Sequence, residues 1–134
     1  MSQLFFPEKH HLELANRLAE CPDAWVLICY CAAWCRTCAG FEQALEGFAQ
    51  NHSEVVCIWV DIETHEGLLM QDDLDNLPTF LLQKKEHSYF YAPLPPMIGH
   101  IERLYEQGKK GLLPKLPDSN LTPFTQLLSK NTAS

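Results

Sequence analysis

The segment AAWCRTCAG, residues 32–40, holds the side chains of this sequence that could do chemistry. Cys35 and Cys38 are separated by two residues, and Cys29 and Cys31 lie just upstream. The side chains around the pair are Trp34, Arg36 and Thr37. Two thiols at this spacing can interconvert with a disulfide, supply two ligands to a zinc ion, or be two ordinary cysteines. The upstream cysteines leave all three alternatives open.

A buried strand and a helix are predicted to position the pair. The run AWVLICYC (24–31) is short, apolar and rich in residues that favour strands, which is typical of a strand buried on both faces. The apolar residues at helical spacing after it are Phe41, Ala44, Leu45 and Phe48. They predict a helix that continues to about Asn51.

A cysteine at the start of that helix would have a reactive sulfur. The first backbone N–H groups of a helix have no partner within it, and they form the positive end of its dipole. Both effects favour the thiolate, which is the nucleophile. Cys38, one turn along, would lie deeper and could attack a mixed disulfide formed by Cys35. The spacing therefore predicts a two-step exchange in which Cys35 attacks and Cys38 resolves.

The rest of the chain predicts an α/β fold with a mixed four-stranded sheet. Further strands are predicted at 54–62, 79–83 and 88–92, and helices at 7–22, 64–74 and 95–107, the last ending at Gly108. Two strands joined through a helix should be parallel, whereas the short polar link KKEH makes the last two antiparallel. Helices should cover both faces. A short helix, PFTQLLSK (123–130), is predicted in the tail.

Composition narrows the class of protein. The 134 residues suffice for one domain, and 46% of them are hydrophobic. A net charge of −7 argues against nucleic-acid binding, which needs clustered positive charge. The longest apolar run falls short of the ~20 residues that cross a bilayer, and the N-terminal residues lack the pattern of a signal peptide. We therefore expect a cytoplasmic protein that binds neither nucleic acid nor membrane, whose close cysteine pair is catalytic or metal-binding.

Two motifs resemble the thioredoxin family. The first is AAWCRTC after a buried strand, and the second is NLPTFLL (76–82) after the second βα unit. In that family a proline at the start of the third strand forms a cis peptide bond beside the dithiol, and Pro78 holds that place by order and spacing. The resemblance covers about residues 4–107. It implies a thioredoxin-like fold over residues 1–107, followed by a C-terminal extension over 108–134.

The resemblance implies a thiol–disulfide oxidoreductase that acts on protein disulfides. Cys35 would be the attacking thiol and Cys38 the resolving one, while Trp34, Leu77 and Pro78 would shape the substrate groove. No organic cofactor is implied, because the Cys35–Cys38 disulfide is itself the redox group. Electrons would come from thioredoxin reductase or glutathione.

The sequence departs from the family pattern around the dithiol. Arg36 and Thr37 replace the Gly-Pro of strongly reducing thioredoxins, and they would tune the pKa of the pair and its redox direction. Cys29 stands where the family has a buried acid, and Cys31 where it has a tryptophan. The acid is thought to handle the proton of the second thiol, so Asp61 or water would have to substitute.

Cys29 and Cys31 themselves allow three interpretations. Side chains alternate along a strand, so both should face the dithiol. They could relay a disulfide inward, join Cys35 and Cys38 around a metal, or be small buried hydrophobes. Strand residues two apart fit tetrahedral metal geometry poorly, so we expect no metal. Two other functions stay open: a non-catalytic binding module of the same fold, and a zinc- or iron–sulfur-binding variant.

Overall fold

Five strands form one mixed sheet in this computed structural model, which describes residues 4–32, 35–63, 77–85 and 87–116. The strands are β1 (Leu4–Phe5), β2 (Trp25–Cys31), β3 (Val55–Asp61), β4 (Thr79–Lys84) and β5 (His87–Pro93). The helices are α1 (Pro7–Glu20), α2 (Arg36–Asn51) and α3 (Ile98–Lys109). The order across the sheet is β1-β3-β2-β4-β5. Both β1 and β2 run parallel to β3, while β4 is antiparallel to β2 and β5, so the predicted α/β fold is confirmed.

The prediction of four strands is wrong by one strand, β1. Leu4 lies opposite Cys57 and Phe5 opposite Ile58, which places β1 at the edge of the sheet beside β3. Two residues are too few to display the alternation by which a strand is recognised, and Pro7 opens a helix at once. The predicted helices at 64–74 and 123–130 lie outside the described residues.

Alternation along β2 separates the core into two layers. One layer lies between the sheet and the helices α2 and α3, and it contains Leu27, Cys29 and Cys31. The other lies between the sheet and α1, and it contains Val26, Ile28 and Tyr30. Every residue of β2 is therefore buried, as a central strand requires. None of the helices in the described ranges combines the length and apolar character needed to cross a bilayer.

Two details of α3 differ from the prediction. The helix begins at Ile98 rather than at residue 95, because the adjacent prolines favour extended backbone and Met97 is itself extended. It also continues through Gly108 to Lys109. Gly108 is buried against Trp25, and a Cβ there would lie 3.2 Å from the indole ring. Gly108 therefore allows close packing, while Gly111, with a φ of +74°, lies in the left-handed turn beyond the helix.

A hydrogen bond joins α3 to the residue that precedes β3. The Tyr105 hydroxyl donates to a Glu54 carboxylate oxygen over 2.7 Å, and this bond is the main reason that the pKa of Glu54 is lowered. A carboxyl whose pKa is lowered by folding stabilises the fold above its ordinary value of 4.5, and this stabilisation is lost as the pH falls through the folded-state value.

We expect Tyr105→Phe to lower the free energy of unfolding at pH 7 by about 1 kcal/mol, because it removes one hydrogen bond. The loss is no larger because the half-exposed Glu54 carboxylate is screened by solvent. The loss should shrink as the pH falls below about 4. Urea unfolding at several pH values measures it. In a Glu54→Gln background the Tyr105→Phe cost should lose its pH dependence; an unchanged pH profile would assign the effect to packing.

Candidate active site

Cys35 occupies the junction between β2 and α2. Its backbone N–H donates to the carbonyl of Ala32 over 3.0 Å, which closes a tight turn after the strand. Cys35 is the N-cap residue of α2, with extended backbone angles, and its side chain makes no capping hydrogen bond to the helix. The predicted position of this sulfur at a helix start is therefore confirmed. An anionic sulfur here would be stabilised by the positive end of the helix dipole.

Cys38 lies one turn further along α2 and deeper in the protein. Its exposed fraction is 1%, against 9% for Cys35. The two thiols are hydrogen-bonded to each other, and Cys38 is also hydrogen-bonded to Cys31. Burial is the main reason that the pKa of Cys38 is raised, and these two hydrogen bonds raise it further. Of the pair, Cys35 is thus the thiol that an incoming disulfide can reach.

The upstream cysteines share the same cluster. Cys29 and Cys31 are 0% and 1% exposed, and their sulfur atoms are 3.5 Å apart. Burial raises the pKa of Cys29, and the hydrogen bond between the two thiols is the main reason that the pKa of Cys31 is raised. All six cysteines of the chain, each among the described residues, are thiols. The predicted orientation of these side chains toward the dithiol is confirmed.

Pro78 lies at the same end of the sheet. The Leu77–Pro78 peptide bond is cis, as the resemblance implied. Tyr30 pairs with Thr79, so the next pair in this register would be Cys31 and Pro78. Leu77 packs against the cluster that contains the four thiols.

The chain was compared with known proteins for sequence and fold. The family model described as Thioredoxin matches residues 8–92. The chain belongs to the thioredoxin family. The mouse "Thioredoxin domain-containing protein 2" is 28% identical over 74 residues, which are 55% of this chain and 14% of that protein. The chain therefore spans about one seventh of that relative's length.

Solved thioredoxin structures share the fold. Trichomonas vaginalis thioredoxin has a TM-score of 0.56 and 24% identity, covering 73% of this chain and 90% of that one. The germline-specific thioredoxin Deadhead of Drosophila melanogaster has a TM-score of 0.63 and 17% identity, covering 80% and 98%. At these identities the likeness supports the thioredoxin fold alone.

The other predicted site residues have different outcomes. Arg36 is exposed in the first turn of α2, next to Cys35. Thr37 lies within α2, but its side chain is outside what is described. Trp34 also lies outside the described residues, so its role stays a prediction.

Asp61, the suggested substitute for the family's buried acid, is half-buried and pairs with Cys31 in the sheet. Paired residues of adjacent strands share a face, so Asp61 is on the side of the thiols. One carboxylate oxygen accepts the backbone N–H of Glu63 over 2.9 Å. Because this oxygen is hydrogen-bonded within the turn after β3, it is less available to accept a proton from a thiol.

One contact of the site was missed at the sequence level. The backbone N–H of Leu94 donates to the Pro78 carbonyl over 3.3 Å, and Leu94 packs against the thiol cluster. The loop between β5 and α3 is therefore attached to Pro78 by a backbone hydrogen bond. Pro95 and Pro96 are the sequence signal for this loop, although the helix predicted over 95–107 includes them.

Four cysteines in one cluster raise the question of a metal. Within the part of the chain that the structure describes, no group of three or more His, Cys, Asp or Glu side chains is arranged to hold a metal ion. The short contact between the Cys29 and Cys31 sulfurs is that of two thiols sharing a hydrogen bond.

Proposed function

We propose that this protein is a thiol–disulfide oxidoreductase that acts on protein disulfides through Cys35 and Cys38. The observation that carries the proposal is the position of Cys35 at the start of α2, with Cys38 hydrogen-bonded to it and more deeply buried. Membership of the thioredoxin family supports a redox role in general.

The reaction has two exchange steps. The Cys35 thiolate attacks one sulfur of a substrate disulfide, forms a mixed disulfide and releases the other sulfur as a thiolate. Cys38 then loses its proton and attacks the Cys35 sulfur, which releases the second substrate thiolate. The substrate gains two electrons, and Cys35 and Cys38 become a disulfide. Because the pKa of Cys38 is raised, the second step is expected to be the slower one.

The substrate would bind across the end of the sheet. Leu77 and Pro78 would form one side of the groove, next to the dithiol. Trp34, directly before Cys35 in sequence, would form another side. Arg36 is exposed beside Cys35 and would favour a thiolate there by its positive charge. Thr37 would complete the tuning of the pair.

The remaining requirements follow from the chemistry. No organic cofactor is needed, because the Cys35–Cys38 disulfide carries the two electrons. Thioredoxin reductase or glutathione would return that disulfide to the dithiol. We place the reaction in the cytoplasm, where the glutathione and thioredoxin systems keep cysteines as thiols.

Reduction of insulin disulfides tests the proposal. The wild-type protein should accelerate the reaction well above the rate of dithiothreitol alone. Cys21→Ser is a matched control, since Cys21 is a half-buried cysteine at the end of α1, and this variant should keep the full rate. A wild-type rate equal to that of dithiothreitol alone would instead favour the binding-module alternative.

A further inference from the structure

A third thiol, that of Cys31, lies within reach of the dithiol. Cys38 is hydrogen-bonded to Cys35 on one side and to Cys31 on the other, and all three cysteines belong to the same buried cluster. The exchange of a substrate disulfide uses only Cys35 and Cys38. Cys31, at the end of β2, therefore has no role in that reaction although it contacts the resolving thiol.

We propose that Cys31 can replace Cys35 in the disulfide, so that the oxidised protein holds a Cys31–Cys38 bridge in place of the Cys35–Cys38 bridge. This inference rests on the proposed function, in which a substrate disulfide oxidises Cys35 and Cys38. In the second form Cys35 is again a thiol, but Cys38 is no longer available to resolve an adduct. A disulfide that Cys35 then attacks would stay covalently bound to the protein.

The transfer is a single thiol–disulfide exchange. Cys31 loses its proton to solvent, and its thiolate attacks the Cys38 sulfur of the Cys35–Cys38 disulfide. The Cys31–Cys38 bond forms as the Cys35–Cys38 bond breaks, and Cys35 leaves as a thiolate. The chain keeps the same two-electron oxidation throughout, so the step needs no external oxidant or reductant.

The places of Cys31 and Cys38 in the fold favour this bridge. Cys31 is the last residue of β2, and its side chain points from the sheet into the core layer beneath α2. Cys38 lies near the start of α2 and is 1% exposed in that same layer. The two side chains therefore approach each other from opposite sides of one layer, and their thiols already share a hydrogen bond. Converging Cα–Cβ bonds of this kind are what a disulfide requires.

Cys29 is not a partner for such a bridge, although its sulfur is 3.5 Å from that of Cys31. The two residues lie two apart on a strand with regular pairing on both sides. Their Cα–Cβ bonds are parallel, so the Cβ atoms are about as far apart as the Cα atoms, about 6.6 Å. A disulfide needs Cβ atoms about 3.5–4.5 Å apart. Cys38 is therefore the partner that the fold gives to Cys31.

The leaving group favours the transfer, whereas the attacking thiol slows it. Cys35 leaves at the start of α2, where the positive end of the helix stabilises its thiolate, and a more acidic thiol leaves faster. The pKa of Cys31 is raised, first by its hydrogen bond with Cys29 and then by burial, so its thiolate is scarce at neutral pH. We therefore expect the Cys31–Cys38 bridge to form more slowly than the Cys35–Cys38 bridge.

Trapping Cys35 with iodoacetamide tests the transfer. The reduced protein is converted to the Cys35–Cys38 disulfide with an equimolar amount of diamide, treated with iodoacetamide without reductant, and mapped by peptide mass spectrometry with disulfides intact. In the wild type, the Cys35 thiolate that the transfer releases should be alkylated irreversibly, which leaves a Cys31–Cys38 bridge in nearly every chain. Cys31→Ala and Cys31→Ser should both lose this product and keep the Cys35–Cys38 disulfide. Cys57→Ala is the matched control, a buried cysteine of the same core layer, and should behave as the wild type.

The possible maps separate this inference from the function on which it rests. A wild-type map in which Cys35 stays bridged to Cys38 and escapes alkylation would overturn the transfer and leave the proposed function intact. Alkylated Cys35 in Cys31→Ala would also overturn it, because a different thiol would then be displacing Cys35. Failure of Cys35 and Cys38 to form a disulfide in the wild type would overturn both.

Discussion

Replacing Cys35 by serine should reduce disulfide reduction to the rate of the added reductant alone, whereas replacing Cys38 should leave the first exchange intact. A serine hydroxyl is not ionised at neutral pH, so it cannot use the positive end of α2 as a thiolate can. In Cys38→Ser the mixed disulfide on Cys35 still forms but lacks its resolving thiol. The two variants should therefore fail in different ways.

Non-reducing gels and mass spectrometry separate the two failures. Cys38→Ser incubated with a disulfide substrate should accumulate a covalent adduct on Cys35, and Cys35→Ser should accumulate none. Cys57→Ser is a fitting control, because Cys57 is as buried as Cys38 and its pKa is raised to about 12, mainly by burial. It should turn over without an adduct. Full activity in Cys35→Ser, or an adduct on Cys38, would contradict the assigned roles.

The positions of Cys35 and Cys38 could be predicted from the sequence because each element around them has a local signal. A cysteine pair two residues apart, after a buried strand and before an amphipathic helix, determines where the sulfurs lie. The surroundings of Cys29 and Cys31 could be predicted only in part. Strand alternation placed Cys29 and Cys31 on the dithiol face, but the hydrogen bond between Cys31 and Cys38 depends on how α2 packs against β2. That contact arises from the packing of a helix on a strand, which the pattern of neither element specifies.

The fold also divides into features with a local sequence signal and features that depend on tertiary packing. Seven of the eight described elements were predicted near their observed bounds, because each is long enough to show its period. The exception is β1, which has only two residues and forms because β3 offers an open edge. Gly108 was assigned to a helix end from its type, although its place is set by the Trp25 ring on a distant strand. Tertiary contacts, rather than local preference, decided both cases.

Phe80→Ala should lower the free energy of unfolding by about 3–5 kcal/mol, which is a large part of the total stability of a domain of this size. Phe80, the second residue of β4, is 0% exposed and lies opposite Cys29. Its ring packs edge-on against Phe41 of α2, with centroids 5.6 Å apart and an interplanar angle of 77°. Removing it takes away both the buried apolar area and one of the contacts that pack α2 against the sheet, and it leaves a cavity.

Urea unfolding at neutral pH, with reductant present to keep all cysteines as thiols, measures this loss. Phe90→Ala is the matched control, since Phe90 is a half-buried phenylalanine on the neighbouring strand β5 and packs at the margin of the same core layer. It should cost less than half as much, because its ring is already partly in water and β5 can adjust at the sheet edge. Equal costs for the two variants would contradict the larger contribution assigned to the fully buried Phe80 ring.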